Sequence, residues 1–366
     1  MLAPALLSSF LLHAAPLPAA LAPAVAPAAP VPPVERDEGP TTLRQQRSVG
    51  SVLVDVLVWG RGDAEAVAAV DAAFDEGVRV VTSLATDRHD APLARVNAAA
   101  GHEAVTVGAE VLDVLLTLRR LAQLSRGAYD PTAAIYDDAW PSPAGTGSST
   151  ATLPSRAELA RRRRFVSFLD LALDPVTGTA KLVRDGARVD VAAVQKARVL
   201  DRMRAALVER GVTDFVLSSG GDVVVGGRRG DRPWRVGVQD PRGPDPFLAL
   251  PVDPAILGGA VMTVSDNEDY FVTGGARYHS VLDPRTGLPS TRCRSVTVFA
   301  DDALFAEALA RAVFVLGDKD GLALVARVPG AQAVVVTADN RVALTRGLAT
   351  MAAAQVLQQR APTDGL

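Results

Sequence analysis

The stretch R-Y-H-S-V-L-D-P-R-T-G-L-P, Arg277 to Pro289, decides how this chain is read. Asp283-Pro284 and the later Gly287 set a turn, because proline fixes φ and glycine permits a positive one. That short turn carries an imidazole, a carboxylate, a guanidinium and a hydroxyl, from His279, Asp283, Arg285 and Thr286. Read alone it is either a polar loop capping a strand or part of a functional site. Its surroundings have to decide.

Downstream, Val296 to Phe299 reads as a strand feeding a helix from about Asp302 to Leu316. Val334 to Val336 and Val342 to Leu344 read as a closing hairpin around Asp339-Asn340. Upstream, Trp234, Val236 and Val238 alternate as in a strand. Asp214 to Ser218 is a strand that breaks at Gly220-Gly221-Asp222 and resumes over Val223 to Val225. Before it, Asp190 sits where a helix N-cap would, Leu200, Met203 and Leu207 line one helix face, and Gly211 ends the run. Farther back, Val111, Val114, Leu118 and Leu121 recur at helical spacing between Ala109 and Arg126. A helix from Asp63 to about Glu76 should stop before Gly77, after a strand in which Val52, Val54, Val56 and Val58 alternate. Strands and helices mix without a regular βαβ rhythm. The fold class is therefore α+β, with mixed, largely antiparallel sheets and packed helices.

Four clusters could carry chemistry. Gly127-Ala128-Tyr129-Asp130-Pro131-Thr132 is a helix stop with a turn, or a binding loop. Asp190 to Lys196 is a helix entry whose free N–H groups suit phosphate, or a simple cap with a surface lysine. Ser218 to Asp222 holds paired glycines that let backbone approach a ligand, or a β-bulge. The opening turn is followed by Glu307 and Arg311, four apart on one helix face, as a site pair or an ordinary ion pair.

Taken together and in order, these clusters resemble the ApbE family, the FAD:protein FMN transferases. The counterparts of the family's motifs are Gly127 to Pro131, Asp190 to Ala197, Ser218 to Asp222, Thr263 to Glu268, His279 to Gly287 and Ala306 to Ala312. The Asp-Pro-Arg-Thr-Gly run is identical to the family's. The likeness spans about Val49 to Met351.

The resemblance implies an ApbE-like fold and a definite reaction. FMN moves from FAD to a threonine of a partner protein of an electron-transfer system, and AMP leaves. It implies FAD contacts from Ala128, Tyr129, Asp130, Asp190, Lys196, Gly220, Gly221, Asp222 and Thr286. It places His279 and Asp283 at the reacting centre, His279 relaying the threonine proton. The implied metal is Mg2+, at the positions of Ala193, through its carbonyl, Glu307 and Arg311.

Several positions depart from the family pattern. Arg311 stands where the family has a metal-binding threonine; it has no lone pair to give and repels a cation. Ala192, Ala193 and Ala197 replace glycines at the helix entry. Val49 replaces a methionine, Asp87 stands where many members have a tyrosine, and Val264-Ser265 replaces a Ser-Gly. Two outcomes fit these changes. Arg311 supplies a fixed positive charge in place of the metal, or the chain is a catalytically impaired member that acts as a flavin-binding protein or an exported scaffold.

Composition sets the bounds. The chain has 366 residues, 48% of them hydrophobic, enough for a substantial core. A net charge of −3 gives no basic excess for nucleic acid. The run Arg161 to Arg164 reads as a solvated helix face. Cys293 is the single cysteine, so no intramolecular disulfide is possible. Residues 1–22 read as a signal peptide, apolar and closed by Ala20-Leu21-Ala22, which places the protein on the periplasmic or cell-envelope side. Residues 23–42 read as an Ala/Pro-rich linker, 43–355 as the flavin transferase domain, 141–155 as a mobile loop, and 356–366 as a C-terminal tail.

Overall fold

The computed structural model describes residues 41–86, 88–141 and 152–352. The signal peptide, nearly all of the linker, most of the 141–155 loop, Asp87 and the C-terminal tail lie outside the described residues.

The chain opens with two strands, β1 (Thr42–Val49) and β2 (Val52–Trp59), then α1 (Ala64–Ser83), α2 (Pro92–Ala98), β3 (Val105–Thr106) and α3 (Gly108–Leu124). A 3-10 segment (Pro131–Ala139) and α4 (Arg156–Arg163) lead to β4 (Leu171–Asp174), β5 (Thr179–Leu182) and α5 (Ala192–Glu209). Next come β6 (Phe215–Ser219), β7 (Asp222–Gly226), β8 (Trp234–Gln239), β9 (Pro246–Val252), α6 (Pro254–Leu257) and β10 (Ala260–Ser265). The chain then forms β11 (Tyr270–Thr273), β12 (Ala276–His279), β13 (Cys293–Ala300), α7 (Ala303–Val325), β14 (Gln332–Thr337) and β15 (Val342–Leu344).

Eight strands make the main sheet, in the order β1-β2-β6-β7-β10-β13-β14-β15. Neighbours in it pair antiparallel, as the absence of a βαβ rhythm predicts. The larger core lies where α1, α3, α5 and α7 pack together and on the sheet. It holds Val54, Val56, Leu217, Met262, Val296, Leu118, Leu200 and Phe314. The opposite face packs on the β8–β9 hairpin through Trp234, Val236 and Leu250.

Three local interactions fix the helices that matter for the site. Asp201 of α5 accepts the backbone N–H groups of Ala303 and Leu304 at 2.9 Å each, which satisfies free donors at the start of α7. Glu110 of α3 is buried under Arg79 of α1 and under Arg198 and Arg202 of α5, at 2.6, 2.5 and 3.0 Å. α7 breaks at Gly317, whose φ is +84°. Ser290 Oγ donates to Phe314 O at 3.1 Å and so takes up one carbonyl near that break.

Two expected boundaries move. Gly77 does not stop α1, which runs to Ser83. A Cβ at Gly77 would lie 3.1 Å from Val49 and 3.3 Å from Met203, so this glycine serves close packing. The Gly220-Gly221 pair is a tight hairpin loop and not a bulge. Ser219 pairs with Asp222, and Gly220 has φ +61°.

Candidate functional site

Lys196 lies in the first turns of α5. The preceding segment is pinned by Asn97, which brackets Val189 through both its amide atoms at 3.0 and 2.9 Å. Asp190 Oδ1 then accepts Ala192 N–H, so Asp190 caps the entry one residue earlier than an N-cap would. The Lys196 ammonium reaches Asp222 Oδ2 at 2.7 Å. That contact is an ion pair without hydrogen-bond alignment. Asp222 is almost wholly buried, and its other oxygen accepts Thr263 N–H at 2.9 Å. Asp222 thus positions Lys196 and is not open to a ligand.

The Gly220–Gly221 loop runs beside this lysine. A Cβ on Gly220 would sit 3.7 Å from Lys196 Nζ, and one on Gly221 4.0 Å from Glu268 Oε1. The bare backbone is therefore flanked by one ammonium and one carboxylate.

α7 supplies the other charges. Arg311 Nε donates to Glu307 Oε1 at 2.9 Å. Glu307 is 4% exposed, and its Oε2 has no hydrogen-bond partner. Burial pushes its carboxyl up to about 7 against the opposing pull of Arg311, and Asp222 adds to the rise. Burial lowers Arg311, but Glu307, Tyr129 and Glu268 together outweigh it, and the guanidinium is raised. The unpartnered buried Oε2 favours the reading in which the acid is held near neutrality.

Tyr129 is buried next to these groups, and burial raises its phenol while Arg311 opposes the rise. Water reaches Glu268, whose carboxyl is nonetheless raised, first by the protein around it and then by Asp222 and Glu307, against Lys196 and Arg311. The structure therefore gathers Tyr129, Lys196, Gly220, Gly221, Asp222, Glu268, Glu307 and Arg311 into one charged cluster. Asp190 also acts on Tyr129, and Asp137 interacts with Asp190 and Arg311.

The other expected site residues do structural work in this state. Asp130 is buried and accepts Thr132 N–H, Thr132 Oγ and Phe168 N–H at 2.9, 2.6 and 2.8 Å. Ala128 is buried against the larger core. Ala193 lies in the first turn of α5, where helical carbonyls accept from four residues ahead.

The opening turn is tied to the 3-10 segment, to Trp140 and to α4. Tyr136 Oη donates to Pro284 O at 3.3 Å, Trp140 Nε1 to Gly287 O at 2.9 Å, and Arg163 Nε to Arg285 O at 2.6 Å. Asp283 takes a two-point ion pair from Arg285 at 2.8 and 2.7 Å. Thr286 Oγ accepts Leu288 N–H at 3.2 Å. His279 is buried edge-on to Phe314, with ring centroids 5.4 Å apart. Its Nε2 lies 2.9 Å from Ser290 O, and its Nδ1 accepts Val281 N–H at 3.2 Å. Both nitrogens are thereby occupied in the neutral ring, and burial lowers the imidazole's affinity for a proton. No hydrogen bond joins His279 to Asp283 among the described residues.

A divalent metal does not fit these side chains. Glu307 already faces Arg311, and Asp222 already faces Lys196. Among the described residues no three His, Cys, Asp or Glu side chains gather as a metal-binding group.

Sequence reading passed over Glu268 and Asp137 as site residues. Glu268 ends a motif segment recognised for ancestry, and its charge was the available signal. Asp137 lay in a segment with no periodic pattern, so only the fold brings it near Arg311.

Comparison with known proteins follows the same lines. A sequence model of the ApbE family matches residues 51–335. The FAD:protein FMN transferase of Treponema pallidum is 29% identical over 303 residues, covering 79% of this chain and 82% of that protein. The enzyme of the same name from Rhodobacter capsulatus is 31% identical over 223 residues, covering 61% of this chain and 41% of that one. The crystal structure of the ApbE protein of Thermotoga maritima superposes with a TM-score of 0.75 at 26% identity, covering 85% of this chain and 99% of that one. The flavin transferase ApbE of Vibrio cholerae shares the fold, with a TM-score of 0.71 at 22% identity and the same coverage.

Proposed function

The chain belongs to the ApbE family, and on that premise we propose that it is an FAD:protein FMN transferase. The observation that carries this reading is the charged cluster in which Lys196 stands beside the bare Gly220 backbone and Arg311, on Glu307, acts on the same Glu268 that flanks Gly221. Two fixed cations and an unobstructed main chain suit a dinucleotide pyrophosphate. The acceptor is a threonine hydroxyl on a partner protein, of the kind found in electron-transfer systems. Its oxygen attacks the phosphorus on the flavin side, and a P–O bond to the bridging oxygen breaks. FMN becomes esterified to the threonine, and AMP leaves with the bridging oxygen. Lys196 and Arg311 offset the charge that develops, so positioning and electrostatics lower the barrier.

His279 takes the acceptor's proton only by giving up one of its two backbone hydrogen bonds. The pH profile of transfer separates a relay from a positioning role. A relay gives an acid limb below the ordinary histidine value of about 6.5 that disappears in His279→Gln. A positioning role lowers kcat in that variant and leaves the profile's shape unchanged.

The decisive experiment incubates purified protein with FAD and a threonine-bearing acceptor domain. The expected result is an acceptor heavier by one FMN, with one AMP released per transfer. Bound flavin without AMP would sink the transferase reading and leave a flavin-binding protein. Export is proposed from residues 1–22. N-terminal sequencing of the protein recovered from the cell envelope should begin at Pro23, and an unprocessed Met1 in that fraction counts against it.

A further inference from the structure

We propose that Arg311 takes the place of a metal ion: with Lys196 it holds the pyrophosphate of the dinucleotide directly, so binding needs no divalent cation. This rests on the flavin-transfer reading. Arg311 stands one helical turn after Glu307 and donates to it through Nε alone. Its two terminal nitrogens have no acceptor among the described residues. The side chain is 21% exposed, and its terminal nitrogens are not among the buried unpartnered atoms, so that free edge meets solvent. A guanidinium fixed at Nε presents the paired N–H groups that match two phosphate oxygens, with little freedom left to lose.

Lys196 shares the same surroundings. Both cations act on Glu268 and on Glu307. Its ammonium is held at 2.7 Å by Asp222, next to the Gly220 loop. A dinucleotide pyrophosphate carries one negative charge on each phosphate. One arginine and one lysine answer those two charges. A divalent ion brought to Glu307 would instead meet a fixed guanidinium already on that carboxylate.

The test measures binding of FAD and of inorganic pyrophosphate by calorimetry, on the full purified protein, in excess EDTA and in excess magnesium. Arg311→Thr and Arg311→Gln are compared with the unaltered chain. Glutamine keeps a donor to Glu307, so it guards against a variant that fails to fold, and circular dichroism checks both. The unaltered chain should bind FAD with a Kd equal within about twofold in EDTA and magnesium. Both variants should bind each ligand about 10- to 100-fold more weakly in EDTA, the cost of losing a charged hydrogen-bonding pair. Magnesium should restore part of the FAD affinity of Arg311→Thr.

A wild-type chain that binds FAD only with magnesium overturns the proposal and leaves the flavin reading intact. So do neutral variants that bind as tightly as wild type in EDTA. Pyrophosphate binding that depends on Arg311, without any FAD binding, supports the anion site and overturns the flavin reading. Failure of both ligands to bind overturns both.

Discussion

At the scale of single residues, the opening turn depends on Gly287. Its φ is +72°, and a Cβ there would meet the Tyr136 ring at 2.5 Å. Gly287→Ala combines a left-handed conformation with a buried clash, costing about 2–4 kcal/mol. Urea unfolding should show this as a lower midpoint with an unchanged slope, and a midpoint equal to wild type would refute the steric account. Glu307 gives a second prediction. Its folded-state pKa is raised, so the stability it contributes is full below about 4.5 and lost as pH rises through about 7. Glutamine imitates the protonated acid and removes that dependence. Between pH 5 and 8 wild type should lose up to roughly 3 kcal/mol more than Glu307→Gln, as read from urea unfolding. Equal losses would mean that Arg311 keeps the carboxylate ionised throughout. The i,i+4 spacing of Glu307 and Arg311 is legible in sequence. Which oxygen of Glu307 goes unpartnered is not, because that depends on α5, β7 and α7 closing around it.

At the scale of elements, alternation and helical spacing located β2, α3 and α5, because each buries one face, while β13 and α7, buried almost all round, showed as apolar runs. β1 escaped that reading. Its residues T-L-R-Q-Q-R-S-V form an edge strand with little burial, so no alternation marks it. Gly77 misled for a related reason: a glycine looks the same in sequence whether it ends a helix or lets two helices approach. The contacts that lock helices together are equally invisible. Glu110 is charged and falls within an apolar helical pattern, yet it is the hub of three arginines from α1 and α5. Burial raises its pKa, but Arg79, Arg202 and Arg198 outweigh it and bring the carboxyl down to about 2. A depressed carboxylate contributes stability that is present above about 4.5 and is lost as pH falls through about 2. Glu110→Gln should therefore destabilise the fold by about 3 kcal/mol at pH 7, since it leaves buried guanidinium groups short of a counter-charge. The gap between wild type and variant should close between pH 4 and 2 in equilibrium unfolding. A gap that persists at pH 2 would assign the loss to packing.

At the scale of the whole molecule, the charged cluster is assembled from segments far apart in the chain. The Tyr129 turn, the α5 entry, the β6–β7 loop, the Glu268 segment and α7 all contribute to it, and the main sheet and four core helices hold them in register. No local stretch can bind the dinucleotide alone, which is why the motifs pointed to ancestry through their order and not through any one of them. A ligand that bridges these segments must stabilise them together. At a free concentration of 100 times its Kd, FAD should add about 2.7 kcal/mol to global stability by mass action. Amide hydrogen exchange then gives the sharper test. Binding should slow exchange at once around residues 127–132, 190–196, 219–222 and 307–311, including amides that open by local fluctuation in the free protein. The β8–β9 hairpin, on the far face of the sheet, should change only through the global term. Protection confined to one segment, or equally strong at β8–β9, would mean that FAD binds elsewhere. Adding EDTA should leave the pattern unchanged, because the charges that hold the pyrophosphate belong to Lys196 and Arg311.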